Sequence, residues 1–269
     1  MDTRPIGVFD SGLGGLTAVR QIAKLLPQED VVYFGDTGRV PYGNRGASVI
    51  EKYAKEDCNF LLKHNVKFVI AACGTVSSVA PHVLSSLPVP AIGVVEPTAK
   101  AAIAATKSGK IGVLGTSATI NSGSFEKALH AISDQILVYP QACSLFVPLV
   151  ENGWIQNQDP ITTLTVERYL SPLKEANVDT IILGCTHFPI LSSFIAQYMG
   201  ENVTLIDAGE EAAKACKAQL TALQIQNENH QGETSYFVSD HPQGFASVAE
   251  IFLGHTVRDN VEIVDLNTL

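Results

Sequence analysis

Short runs of consecutive apolar residues alternate along this chain with longer segments in which apolar residues recur at every third or fourth position. PIGVFD (5–10), DVVYFGD (30–36), KFVIAAC (67–73), PAIGVVE (90–96), KIGVLGT (110–116), QILVYPQ (135–141), DTIILGC (179–185), NVTLID (202–207) and SYFVSD (235–240) predict strands. GGLTAVRQIAKLL (14–26), SVIEKYAKEDCNFLLKH (48–64) and PITTLTVERYLSPLKEA (160–176) predict amphipathic helices between them. Strands in regular alternation with helices form parallel, doubly wound sheets covered on both faces, so the fold class is α/β.

The two halves echo one another. IGVFDS (6–11) matches IGVLGT (111–116), VVYF (31–34) matches ILVY (136–139), and Pro41, Cys73 and Glu96 match Pro148, Cys185 and Asp207 at an offset that drifts from 105 to 112 residues. Common strand composition explains the apolar runs but not a cysteine with a threonine close behind it at equivalent strand ends. The pattern predicts two pseudo-symmetric domains, residues 1–97 with 210–269 and residues 98–209, with mainly parallel sheets and an active site between them. Ligands of open α/β sheets bind at the carboxyl ends of the strands, and a two-lobed chain brings two such edges together.

At 269 residues and 46% hydrophobic, 17% charged positions, the chain can bury a substantial core. A formal net charge of -9 argues against nucleic acid and anionic membranes as partners. MDTRPIGVFD has no apolar core of a secretory signal, no stretch is long enough to span a membrane, and the expected location is the cytoplasm. The five cysteines, at 58, 73, 143, 185 and 216, show no C-x-x-C spacing, so neither a zinc site nor a disulfide framework is expected.

The glycine-rich DSGLGGLTA (10–18) invites a dinucleotide reading and fails it. Thr17 stands where the last glycine of that fingerprint belongs, and Asp10 puts a carboxylate where pyrophosphate would lie. Asp10 or Ser11 is expected to cap the following helix, with Asp10 free to act at the cleft as well. Cys58, Cys143 and Cys216 are expected to be inert core residues. Cys73 and Cys185 each end a strand before a probable helix start, where backbone N–H groups and the helix dipole should favour thiolate. Thr75 and Thr186 are candidate helix caps or ligand contacts.

Two thiols facing one another suit proton traffic at a carbon between them. A thiolate removes an α-proton, the opposite thiol returns one from the far face, and the stereocentre inverts without metal or nicotinamide. The carbanion needs preorganised donors, for which backbone N–H groups and the hydroxyls of Ser11, Thr75, Thr116, Thr119 and Thr186 are available. His187 can exchange protons with Cys185 and Asp10 with Cys73, while Glu151 can orient His187.

IGVFDSGLGGL, YFGDTGRVPYG, AACGTVS, GVVEPT, VLGTSATI, FVPLVENGW and LGCTHFPIL, in that order from residue 6 to about 210, resemble the cofactor-independent glutamate racemases. The resemblance implies that Cys73 and Cys185 are the proton donor and acceptor, assisted by Asp10, Glu151 and His187. It places substrate contacts at Asp10, Ser11, Tyr42, Gly43, Thr75, Thr186 and His187, and Pro41, Gly74, Thr116 and Thr119 complete the expected set of substrate-binding residues. It further implies a homodimer, no cofactor, and D-glutamate for peptidoglycan synthesis, hence roles in cell wall biogenesis and cell shape. Gly74 departs from the pattern, since the family normally carries asparagine there. Loss of that amide is expected to cost about 1.5–3 kcal/mol of substrate binding, so that Gly74→Asn should raise kcat/KM. Two alternatives remain: a racemase of aspartate or another acidic amino acid, and a degenerate, non-catalytic acidic amino acid binding protein.

Overall fold

The computed structural model describes all of the 269 residues except 157, 229–230, 241, 256 and 258–260. Ten strands are present among the described residues: β1 (Ile6–Asp10), β2 (Val31–Gly35), β3 (Phe68–Ala71), β4 (Ala91–Gly93), β5 (Lys110–Gly115), β6 (Leu137–Ala142), β7 (Thr180–Leu183), β8 (Thr204–Asp207), β9 (Thr234–Val238) and β10 (Val261–Ile263). Nine coincide with the apolar runs. The tenth is three residues at a sheet edge, largely exposed, and too short for an apolar pattern to mark it.

The strands form two sheets in which every paired neighbour is parallel. One has the order β10-β9-β2-β1-β3-β4 and the other β6-β5-β7-β8. The run β2-β1-β3-β4 is thus repeated as β6-β5-β7-β8, which gives the sequence echo its structural form. We refer to each sheet with its covering helices as a lobe.

Central strands are apolar throughout because helices cover both faces. Ile6, Val8, Phe9, Phe68, Val69, Ile70, Ile111, Ile181 and Ile182 are completely or almost completely buried. Each such side chain contributes about 1.5–3 kcal/mol through removal from water. The helix Leu16–Leu25 turns Leu16, Ala18, Val19 and Ile22 inward at the three and four spacing read from the sequence.

Two helices join the lobes. Ala208–Ala222 touches β4 of the first sheet and β8 of the second, and Val95–Ala105 packs on that helix and on β7 and β8. Their inward positions are small, with Ala99, Ala102, Ala212, Ala213 and Cys216 all buried, so backbones approach closely and one apolar core runs through both lobes. Asp207 caps the second helix by accepting hydrogen bonds from the Gly209 and Glu210 N–H groups at 2.8 and 3.3 Å. No helix of the described residues is long and apolar enough to cross a membrane.

Candidate active site

The carboxyl ends of the central strands gather the candidate residues. Asp10 ends β1 and Ser11 follows; Cys73 stands two residues beyond β3; Thr116 directly follows β5; Cys185 stands two residues beyond β7, before Thr186 and His187. These residues line one cavity of about 310 Å³, together with Pro41, Tyr42, Gly43, Gly74, Thr75 and Glu151. That is the lower end of the range for small-molecule sites. Both cysteines therefore line the same cavity, one from each sheet.

Thr119 is the exception among the expected contacts. It is buried outside the cavity lining, with its hydroxyl 3.0 Å from that of Thr116, whose side chain caps the helix Ser117–Ser122. Tyr42 lines the cavity, but its hydroxyl is engaged by Asp36 and lies 3.0 Å from an Asp57 carboxylate oxygen. Arg39 completes that cluster by pairing with Asp36, Glu56 and Asp57, so the turn carrying Pro41–Gly43 is tied down from behind.

Neither threonine next to a thiol is a helix cap. Thr75 Oγ1 lies 3.0 Å from Thr116 Oγ1, across the two lobes, and Thr186 Oγ1 lies 3.4 Å from His187 Nδ1. The hydroxyl of Thr17 donates to the Thr186 carbonyl at 3.1 Å, a second polar tie between lobes. At the start of the helix Leu16–Leu25 the cap position belongs to Gly15, not to Asp10 or Ser11. Asp10 Oδ2 accepts from the Gly15 N–H at 3.0 Å, while Oδ1 is buried and unpartnered.

The thiols have different electrostatic surroundings. Burial and then the neighbouring Asp10 charge push the Cys73 thiol up to about 12, despite hydrogen bonds that act the other way, including those of Val76 N–H and Ser11. The expected thiolate-stabilising effect of the helix start is thus overridden: the helix Gly74–Val79 is only six residues long, and Cys73 at its cap is buried beside a carboxylate. Asp10 itself is raised by burial, against the opposing influence of the His187 charge and the N–H groups of Gly15, Ser11 and Gly12.

His187 has the opposite balance. Burial disfavours its imidazolium, but hydrogen bonds to Cys185 and Glu151 and the charges of both groups outweigh it and raise the ring to about 10. Its Nε2 lies 3.0 Å from Glu151 Oε1 and its Nδ1 4.0 Å from Cys185 Sγ. One thiol therefore sits beside a carboxylate and the other beside a cation.

Several residues of the site were not legible in the sequence. Phe252, from the helix Pro242–Leu253, places its ring edge-on to His187 at 5.2 Å between centroids. Cys143, expected in the core, is buried but also lines the cavity, as do Val40, Asn44, Ser117, Ser144, Val147 and Pro148. Val40, Ser117, Val147 and Pro148 fall within YFGDTGRVPYG, VLGTSATI and FVPLVENGW, and Pro148 also matches Pro41 across the repeat, but none of the four had been read as a site residue. Phe252, Asn44 and Ser144 are neighbours in space with no motif of their own. Among the described residues no group of three or more histidine, cysteine, aspartate or glutamate side chains is placed to hold a metal ion.

Comparison with known proteins gives a consistent picture. The profile of the Asp/Glu/Hydantoin racemase family matches residues 14–216. A glutamate racemase of Geobacter metallireducens is 44% identical over 265 residues, covering 98% of this chain and 97% of that protein. Among solved structures, a glutamate racemase isoform from Bacillus anthracis superposes with a TM-score of 0.94 at 38% identity and 99% coverage of both chains. A glutamate racemase from Francisella tularensis, in complex with D-glutamate, does so with a TM-score of 0.92 at 37% identity and full coverage of both.

Proposed function

Because the chain belongs to the Asp/Glu/Hydantoin racemase family and is a racemase, we propose that it interconverts L- and D-glutamate by proton transfer between Cys73 and Cys185. The observation that carries this reading is the delivery of both thiols, from equivalent strand ends of two repeated lobes, into one cavity.

Asp10 Oδ1, buried without a partner, accepts from the substrate ammonium, and that hydrogen bond offsets the cost of its burial. The hydroxyls of Ser11, Thr75, Thr116 and Thr186 and the N–H groups around Tyr42–Gly43 and Gly74–Thr75 meet the carboxylates. The imidazolium of His187, held by Glu151, supplies the positive charge that a Cys185 thiolate requires. The Cα–H bond breaks as its proton passes to Cys185 Sγ, and the electron pair left on carbon takes the proton of the Cys73 thiol from the opposite face. Cys73, pushed up to about 12, holds its proton until the carbanion calls for it. In the reverse direction the thiolate is on Cys73, and Asp10, raised by burial, can take up or relay a proton. The chemistry asks for no metal or organic cofactor.

The same reading places the protein in the cytoplasm as a homodimer that supplies D-glutamate for peptidoglycan. It also divides the chain into domains 1–97 with 210–269, and 98–209. The test is incubation of the purified protein with L-glutamate in heavy water. Circular dichroism of the amino acid should decay to zero while deuterium enters the α-carbon, and Cys73→Ala and Cys185→Ala should each abolish the decay. Persistence of racemisation in both variants, or retention of the α-hydrogen by the parent, would refute the proposal.

A further inference from the structure

Three glycines of the first lobe meet the second lobe where a side chain would intrude. A Cβ on Gly14 would fall on the side chains of Thr186 and His187, and one on Gly43 would come within 2.8 Å of the Thr116 Cβ. A Cβ on Gly74 would overlap the carbonyl oxygen of Gly184. The first faces side-chain atoms that can turn, and the second faces the Thr116 Cβ, which moves only with its backbone but sits at 2.8 Å, against 2.0 Å for the third. The third faces backbone, and that backbone is pinned, because the Gly184 N–H donates to the Leu114 carbonyl of β5 at 2.9 Å. Gly74 adjoins Cys73 and Gly184 adjoins Cys185, so this contact lies one residue from each thiol.

We propose that Gly74 is a positioning residue: by lacking a side chain it lets the two strand ends close against each other and sets the separation of the two thiols. The proposal rests on the two-thiol reading above and reverses the expectation drawn from the sequence alone. Asparagine at position 74 would bring an amide to the cavity, but only after the Gly184 carbonyl had retreated by about 1 Å, the distance needed to clear an added Cβ. A displacement of that size at reacting atoms costs about 10- to 100-fold in rate.

Gly74→Ala separates the two roles, since alanine adds bulk without adding an amide. Its kcat for L-glutamate should fall about 10- to 100-fold with KM changed less than about threefold, and Gly74→Asn should fall further. Crystal structures of the parent and Gly74→Ala should show the Cys73–Cys185 sulfur separation widened by about 1 Å. An increase in kcat/KM for Gly74→Asn, an unchanged sulfur separation in Gly74→Ala, or loss of the folded state by the alanine variant would overturn the proposal, which requires the lobes to part and remain folded. If the parent does not racemise glutamate the proposed function fails, whereas the sulfur separation still decides the role of Gly74.

Discussion

Glu151→Gln isolates the electrostatics of one side of the site. The substitution keeps an acceptor near His187 Nε2 but removes the negative charge that lies 3.0 Å from it. A buried charged hydrogen bond is worth about 1.5–3 kcal/mol, whereas an exposed ion pair is worth about 0.2–1. The Glu151 side chain is 36% exposed, so about 1 kcal/mol is the appropriate value after allowance for solvent screening. At about 1.4 kcal/mol per tenfold change in proton affinity, the His187 titration should move down from about 10 by roughly 0.5 to 1 pH unit. Folding raises this group above its ordinary value of 6.5, so its stabilisation is complete below pH 6.5 and lost as pH rises through about 10. The assay is kcat/KM against pH from 6 to 11. The alkaline limb should shift to lower pH in the variant, with activity near neutrality little changed, because Cys73 loses its proton only at still higher pH. An alkaline limb that stays in place or moves upward would refute the assignment of Glu151 as the group that holds the imidazolium.

Two further predictions concern stability. Lys67 Nζ lies 2.6 Å from Glu29 Oε2 with both side chains fully buried, so Lys67→Ala should lower unfolding free energy by about 3–5 kcal/mol by stranding the carboxylate. Adding Glu29→Gln, which keeps an acceptor for the Asn227 N–H, should recover a large part of the loss, as read from urea midpoints. Asp179 is held well below the ordinary carboxylate range: burial opposes this, but hydrogen bonds from Thr106, Ser108 and Lys107 prevail. Because the site is partly exposed and water can replace the lost acceptor, Asp179→Ala should cost about 1 kcal/mol at pH 7. That deficit should shrink in acid, because the stabilisation is complete above the unfolded value of 3.8 and lost as pH falls through the lower folded value.

The fold class, and the meeting of the candidate residues in one cavity, were readable from sequence where a residue's placement depends on its own segment. The nine predicted strands are apolar because they are covered on both faces, and Cys73 and Cys185 are at strand ends because each run stops there. What escaped depends on neighbours far along the chain. The thiol environment of Cys73 is set by burial beside Asp10, which a strand-then-helix pattern does not report. Thr75 is drawn to Thr116 of the other lobe and not to its own helix. Phe252 reaches His187 from a helix with no motif. Gly74 reads in one dimension as a missing amide, and in three as room for a carbonyl from the opposite sheet.

The nesting of one sheet within the sequence of the other orders events during synthesis. All four strands of the sheet β6-β5-β7-β8 have been made once residue 207 is in place, whereas β2 waits for β9, whose Thr234 pairs with Val31. A nascent or prematurely terminated chain can therefore close its inner lobe while the Val31–Gly35 edge stands open, a ready template for wrong partners. Translation of the segment Thr234–Val238, which pairs with that edge, is what removes the hazard.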